Sequence, residues 1–273
     1  VSIADALARR VRRARDDPRA AAVADLTWIG EEAIARVAGP RHRATLQGAW
    51  RAALHRGDAV ACPVCESTFD AFMPAPNRPD AICPRCLSQE RHRALWIELQ
   101  TATDVFTRPQ SLLHFAPEAT MARRLRAVPT LRHRSADLDS PLADEHFDIT
   151  AIPHPDGAFD TILCSHVLEH VDDDARAMRE LRRVLAPGGL ALVMVPIAHD
   201  RETTLEDPTI TTPEQRAEVY WQHDHVRLYG RDFADRLRAA GFEVSVSTPA
   251  RALPPATVER YGLHPADDIF RCT

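Results

Sequence analysis

Four cysteines stand in two C-x-x-C pairs, Cys62-Pro-Val-Cys65 and Cys83-Pro-Arg-Cys86, with 17 residues between the pairs. Each short turn lets two thiolates meet one ion, and an intervening hairpin brings the second pair to it. The spacing therefore predicts a closed, tetrahedral Zn²⁺ site with a structural task. Redox-active pairs or disulfides are the alternatives; two equivalent pairs in one short segment weigh against them. Two other stretches are dense in proton-handling side chains. In Ser165-His166-Val167-Leu168-Glu169-His170, the two histidines are spaced to share one face of a helix. The plain alternative is that Glu169 and His170 cap or hold that helix. The second stretch, Trp221-Gln222-His223-Asp224-His225-Val226-Arg227-Leu228-Tyr229-Gly230, concentrates such groups in one loop, and loops on a rigid sheet often carry function. A second metal site on His223 and His225 is conceivable, but no spaced carboxylate partner is evident.

These residues need a scaffold, and the apolar periodicity supplies one. Residues 1–57 read as helical: a first helix capped at Ser2 or Asp5 and running to about residue 15, and a second with Ala22, Leu26, Ile29, Ala33, Ile34 and Val37 at helical spacing, ending at Gly39-Pro40. A third covers residues 42–55 with Leu46, Trp50 and Leu54 on one side. Residues 58–90 are rich in Pro and Cys without periodicity, and a helix signal follows over 91–102. Thereafter strands at 111–116, 131–137, 159–165, 190–195, 242–247 and 268–272 alternate with helices at 118–127, 172–185 and 230–240. Such alternation predicts an α/β, Rossmann-like, mostly parallel sheet with helices on both faces, whose ligand lies beyond the carboxyl ends of the strands. Three regions are expected: an N-terminal helical region at 1–57, a four-cysteine zinc segment with a linking helix at 58–104, and a catalytic domain at 105–273. The charged stretch 200–218 reads as a lid over the site or as a solvated connection.

The strands carry motifs. Leu112-Leu113-His114-Phe115-Ala116-Pro117-Glu118 covers the first strand and its turn. Asp148-Ile149 and Pro155-Asp156-Gly157-Ala158-Phe159-Asp160 lead into the fourth strand and the H-V-L-E-H segment. Arg183-Val184-Leu185-Ala186-Pro187-Gly188-Gly189 follows. Together they resemble the class I S-adenosylmethionine-dependent methyltransferases over about 105–273. The preceding cysteine segment, with C-L-S-x-E-R-H-R after its last pair, resembles a bacterial subset of that family.

The resemblance implies roles. Phe115, Ala116, Pro117 and Glu118 cradle the methionine part of S-adenosylmethionine. Asp137, or else Asp139, holds the ribose; Asp148 accepts from the adenine amino group and Ile149 lines the ring. Ser165 and His166 flank the sulfonium and the substrate. A base is needed only if the nucleophile arrives protonated: His225 is the first candidate, with His166, His170 and Tyr229 beside it. His223, Arg227 and Tyr229 are expected to bind substrate. Two departures stand out. Ala116-Pro117-Glu118 replaces the usual glycine-rich turn, and only ten residues separate Asp137 from Asp148, too few for a helix.

Composition bounds the rest. The 273 residues carry a net charge of −5, unevenly spread: +4 over 1–60, −2 over 61–105 and −7 over 106–273. All basic residues are Arg, so lysine catalysis is excluded. An acidic chain argues against a protein whose main task is gripping a phosphate backbone. A small metabolite, sugar or natural-product intermediate is the expected substrate. RNA methylation with the zinc segment as reader, or a binding module without catalysis, are the alternatives. No apolar run is long enough to span a bilayer, no signal peptide is recognisable in residues 1–24, and paired metal-type cysteines fit a reducing cytoplasm.

Overall fold

The computed structural model describes residues 18–75 and 78–273; the helix expected before residue 16 lies outside them. The chain divides into two compact units. One takes the described residues up to Trp96 together with Leu253–His264, and the other takes Ile97–Ala252 and Pro265–Thr273.

In the first unit, α1 (Pro18–Val37) and α2 (Pro40–Leu54) form an antiparallel pair. Gly30 makes the pairing possible: a Cβ there would lie 2.0 Å from the Trp50 indole, whose Nε1 donates to Leu26 O at 3.1 Å. Pro40 begins α2, where a missing N–H costs nothing. The region expected to lack periodicity folds as two small hairpins, β1 (Val60–Cys62) with β2 (Ser67–Phe69) and β3 (Met73–Ala75) with β4 (Arg78–Ile82). Helix α3 (Glu90–Ala102) follows. Its Arg93 is wholly buried and donates to the carbonyls of Tyr261, Ala81, Ser88 and Gly262 at 2.6–3.0 Å. One guanidinium thus ties α9 (Pro255–Tyr261) and its Gly262 cap to the cysteine segment.

The second unit is built on a seven-stranded sheet in the order β10-β11-β9-β8-β5-β6-β7. Its strands are β5 (Gln110–Phe115), β6 (Leu131–Asp137), β7 (Glu145–His146), β8 (Phe159–Ser165), β9 (Leu185–Met194), β10 (Val244–Ser247) and β11 (Ile269–Cys272). The pairings from β7 across to β9 are parallel, and β11 runs antiparallel to both of its neighbours. Helices α4 (Ala119–Arg126), α5 (Asp174–Val184), α6 (Pro213–Tyr220), α7 (Phe233–Ala239) and α8 (Pro249–Ala252) complete the order. The predicted α/β class with a mostly parallel sheet and helices is what the chain adopts. A large buried cluster including Leu113, Ile162, Met178, Leu181, Val193, Phe233 and Phe270 is its core.

Two differences from the periodicity, and one agreement with it, have local causes. Strand β9 begins at Leu185, five residues before the apolar run, because Leu185 already pairs with Phe159; a register shift between Phe159 and Thr161 absorbs the Pro187-Gly188-Gly189 turn. Gly188 takes φ +73°, and a Cβ on Gly189 would lie 2.8 Å from Asp160 O. Between β6 and β8 stands only the two-residue β7, so the short spacing does exclude a helix there. The stretch 200–218 is neither a bare connection nor wholly irregular. Helix α6 starts in it behind a capping box of Thr212 and Gln215 and buries Tyr220 with Ala198 and Leu228.

Candidate functional site

In a sheet of this order the chain leaves β5 toward β6 on one side and returns through β8 and β9 on the other. The crevice at that reversal lies beyond the carboxyl ends of β5 and β8. Parallel pairing sets Phe115 opposite both Ala136 and Cys164, so Ala116, Asp137 and Ser165 emerge along one rim.

Both turns on this rim are held in left-handed backbone, Ala116 at φ +49° and His166 at φ +55°. The conformation a glycine would take is therefore imposed on alanine, at a cost of about 1–2 kcal/mol. The Ala116 N–H is spent on Ala136 O at 3.0 Å, and that of His166 on Met194 O at 2.8 Å. Strain of this kind concentrates at functional sites. Glu118 precedes α4 but does not cap it through its side chain; its carboxylate lies 3.3 Å from Nε2 of the buried His114. His114 in turn faces His133, whose Nε2 is 3.4 Å from His114 Nδ1. Burial, with the neighbouring His114, pushes the His133 pKa down to about 4.

On the next strand, Asp137 Oδ1 accepts from the N–H groups of Asp139 and Ser140, at 3.0 and 2.9 Å. Asp148 is exposed and accepts from Thr150 N. Ile149, expected to line the ring, belongs to the buried core, 5% exposed. Ser165 is buried, and its Oγ has no hydrogen-bond partner among the described residues. A buried hydroxyl left unmatched is costly. Together with the paired left-handed turns, it fits a polar ligand in the crevice, as S-adenosylmethionine requires.

The loop at 221–230 is only partly what its composition suggests. Arg227 and Tyr229 were expected to meet substrate; both side chains are buried and engaged by protein groups. Tyr229 is fully buried, its hydroxyl donating to Asp174 Oδ2 at 2.7 Å, and burial with the nearby Asp174 raises its pKa well above the ordinary phenol value. Such a group is no base. The Arg227 guanidinium donates to Leu168 O, Val171 O and Asp172 O and to Glu206. Both side chains therefore hold the turn after β8. His223 is exposed. His225 is buried, and its Nδ1 donates to Tyr220 O at 2.8 Å. Burial lowers its pKa, so the ring is neutral near pH 7. The segment carrying Glu169 and His170 is a 3₁₀ turn, Leu168–His170. Glu169 Oε1 lies 3.0 Å from His166 Nδ1.

In the first unit the four cysteines converge. The Cys62–Cys86 and Cys65–Cys83 Sγ separations are both 3.7 Å, and all four sulfurs lie within 4.8 Å of one another. A disulfide needs about 2.05 Å, whereas sulfurs about 2.3 Å from a common tetrahedral ion stand about 3.8 Å apart. Both turns have the same build: Glu66 and Leu87 take φ +58° and +62°, and their N–H groups donate to Cys62 O and Cys83 O. Ser88 Oγ lies 3.1 Å from Cys62 Sγ and 3.2 Å from Cys86 Sγ. The set fits Zn²⁺.

Residues 82–246 match the methyltransferase-domain family. An uncharacterized 37.1 kDa protein in transposon TN4556 of Streptomyces fradiae is 35% identical over 128 residues, 45% of this chain and 35% of that protein. Ajmaline N-methyltransferase of Rauvolfia serpentina is 35% identical over 63 residues, 23% of this chain and 22% of that protein. These matches span about a third or less of the relatives' own lengths. A solved S-adenosylmethionine-dependent methyltransferase from Mesorhizobium loti is similar at 17% identity and TM-score 0.46, covering 66% of this chain and 97% of that one. The family match takes in β5, β6, β8 and β9 with the turns between them and covers more than half of the chain, which belongs to the methyltransferase-domain family of S-adenosylmethionine-dependent enzymes.

Proposed function

We propose that the chain transfers a methyl group from S-adenosylmethionine to an oxygen or nitrogen of a small metabolite, sugar or natural-product intermediate. The observation that carries this reading is the rim itself: two left-handed turns and an unmatched buried Ser165 hydroxyl at the carboxyl ends of β5 and β8. The bound sulfonium supplies an electrophilic methyl group. The residues of the chain bind, orient and exclude water around it. Phe115, Ala116, Pro117 and Glu118 form the floor under its amino-acid end, with the Glu118 carboxylate as counter-charge for an ammonium. Asp137 is assigned to the ribose and Asp148 to the adenine amino group. Ser165 and His166 stand where the acceptor enters. A small acceptor is supported by the −7 charge over residues 106–273, which disfavours a polyanion.

The four cysteines are assigned to one structural Zn²⁺ that folds a segment too small for a core of its own. Among the described residues no helix is long and apolar enough to cross a membrane, and a reducing cytoplasm suits the free thiols.

Calorimetry with S-adenosylmethionine tests the reading. Heat and a thermal shift at micromolar to millimolar cofactor are expected, with affinity falling about tenfold in Asp148→Ala and in Asp137→Ala, the loss of one charged hydrogen bond. No heat at millimolar cofactor in the intact protein would sink it.

A further inference from the structure

Glu169, His170 and His225 are brought together by tertiary structure alone. One carboxylate oxygen of Glu169 and one ring nitrogen of each histidine all lie within 4.8 Å of one another. Glu169 is completely buried, and the imidazole facing it is His166, whose Nδ1 lies 3.0 Å from Oε1. A carboxylate has about four lone-pair sites on its two oxygens, so one imidazole leaves room for a cation.

The histidines are prepared for one. His225 Nδ1 donates to Tyr220 O at 2.8 Å, which leaves the Nε2 lone pair free. His170 Nδ1 faces Asp224 Oδ2 at 3.3 Å as an ion-pair contact, with Nε2 at the other side of the ring. Orienting partners of this kind, one backbone carbonyl and one carboxylate, are what fix metal-binding imidazoles. The two segments are also locked to each other. Val226 N donates to Glu169 O at 2.9 Å, and Arg227 holds the carbonyl that opens the 3₁₀ turn and the two that follow it.

We propose that Glu169, His170 and His225 form a divalent-cation site, distinct from the four-cysteine site, that takes an ion of the Mn²⁺, Fe²⁺ or Co²⁺ kind. Two imidazoles and one carboxylate leave coordination positions open for such ions. Resting on the methyltransferase reading, the site deepens it. Glu169 lies against His166 on the rim, so an ion there receives a hydroxyl of the acceptor and lowers its pKa, the hydroxyl proton passing to solvent water. The acceptor atom is then oxygen, not nitrogen, and no side chain has to act as base.

Mn²⁺ titration of the intact, zinc-loaded protein, followed by loss of the free-ion electron paramagnetic resonance signal, tests this. Mn²⁺ prefers oxygen and imidazole to four thiolates, so it reports on the second site. One Mn²⁺ per chain is expected. Affinity should fall at least tenfold in Glu169→Gln and in His225→Asn, and less steeply in Asp224→Asn, with the zinc content unchanged in all three. If Glu169→Gln does not fold, His225→Asn and Asp224→Asn carry the comparison. No saturable Mn²⁺ binding, or equal binding in the variants, overturns the proposal. Calorimetry with S-adenosylmethionine on the same samples separates the two readings. Manganese bound without cofactor binding retains the cation site and removes the methyltransferase; cofactor bound without manganese does the reverse.

Discussion

The side chains around the crevice sort by what holds them. His225 and Tyr229 are four residues apart in one loop, yet the first is oriented with a lone pair to spare and the second is spent on Asp174. Tyr229→Phe should therefore lower stability by about 1–2 kcal/mol through the lost bond to a charged acceptor, with S-adenosylmethionine affinity within twofold of the parent. Thermal denaturation and calorimetry read the two effects; a large loss of affinity without loss of stability would place Tyr229 at the cofactor site. His133 makes a second residue-scale prediction. Its pKa falls to about 4 in the fold, from an ordinary 6.5, because it is partly buried beside His114. Between those values the unfolded chain binds more protons than the folded one, so stability rises with pH there. Acidification from about pH 6.5 toward 4 should lower the denaturation midpoint, and His133→Gln should flatten that part of the profile. An unchanged slope in the variant would refute the assignment.

At the scale of elements, the segments that carry function are pinned by polar groups more than by apolar area. The cysteine turns are short and have little core of their own. Helix α3 reaches them through Arg93, which satisfies four carbonyls and lies 4.0 Å from the Phe72 ring centroid. Arg93→Met keeps much of the volume but strands those acceptors. The expected cost is about 3 kcal/mol or more, seen as a lower midpoint in denaturant and faster release of zinc to a chelator. Zinc release at the parental rate would mean that Arg93 does not support the site. The same logic holds in the second unit, where Arg227 braces the 3₁₀ turn and Asp174 at the start of α5 is shared by Tyr229 and Arg236.

For the molecule as a whole, charge bears on the proposed partner class. The chain carries −5, and the stretch holding the crevice is its most acidic part. A nucleic-acid substrate would have to approach against that field. Fluorescence anisotropy with a labelled single-stranded RNA should show no saturable binding at about 0.15 M salt, where the screening length is about 8 Å. Tight binding with a steep salt dependence would move the acceptor from metabolites to RNA.

Much was legible before any coordinates. The alternation of apolar runs with amphipathic segments dictated the parallel sheet, and the strands at 131–137 and 159–165 stand where periodicity put them, because strand and helix periods are local properties of the backbone. The two C-x-x-C turns announced their own convergence for the same reason: a tetrahedral cluster needs little beyond two turns and a hairpin. Helix α6 was missed, although Thr212-Pro213-Glu214-Gln215 is a capping-box signature inside what looked like a charged connection. Only the folded chain decided that Ala116 adopts the conformation of the absent glycine, that Arg227 and Tyr229 are buried as braces of the turn after β8, and that Glu169 and His170 meet His225. Those outcomes depend on sheet register and on which buried groups find partners. Both are set by contacts between residues far apart in the chain, and no local spacing encodes them.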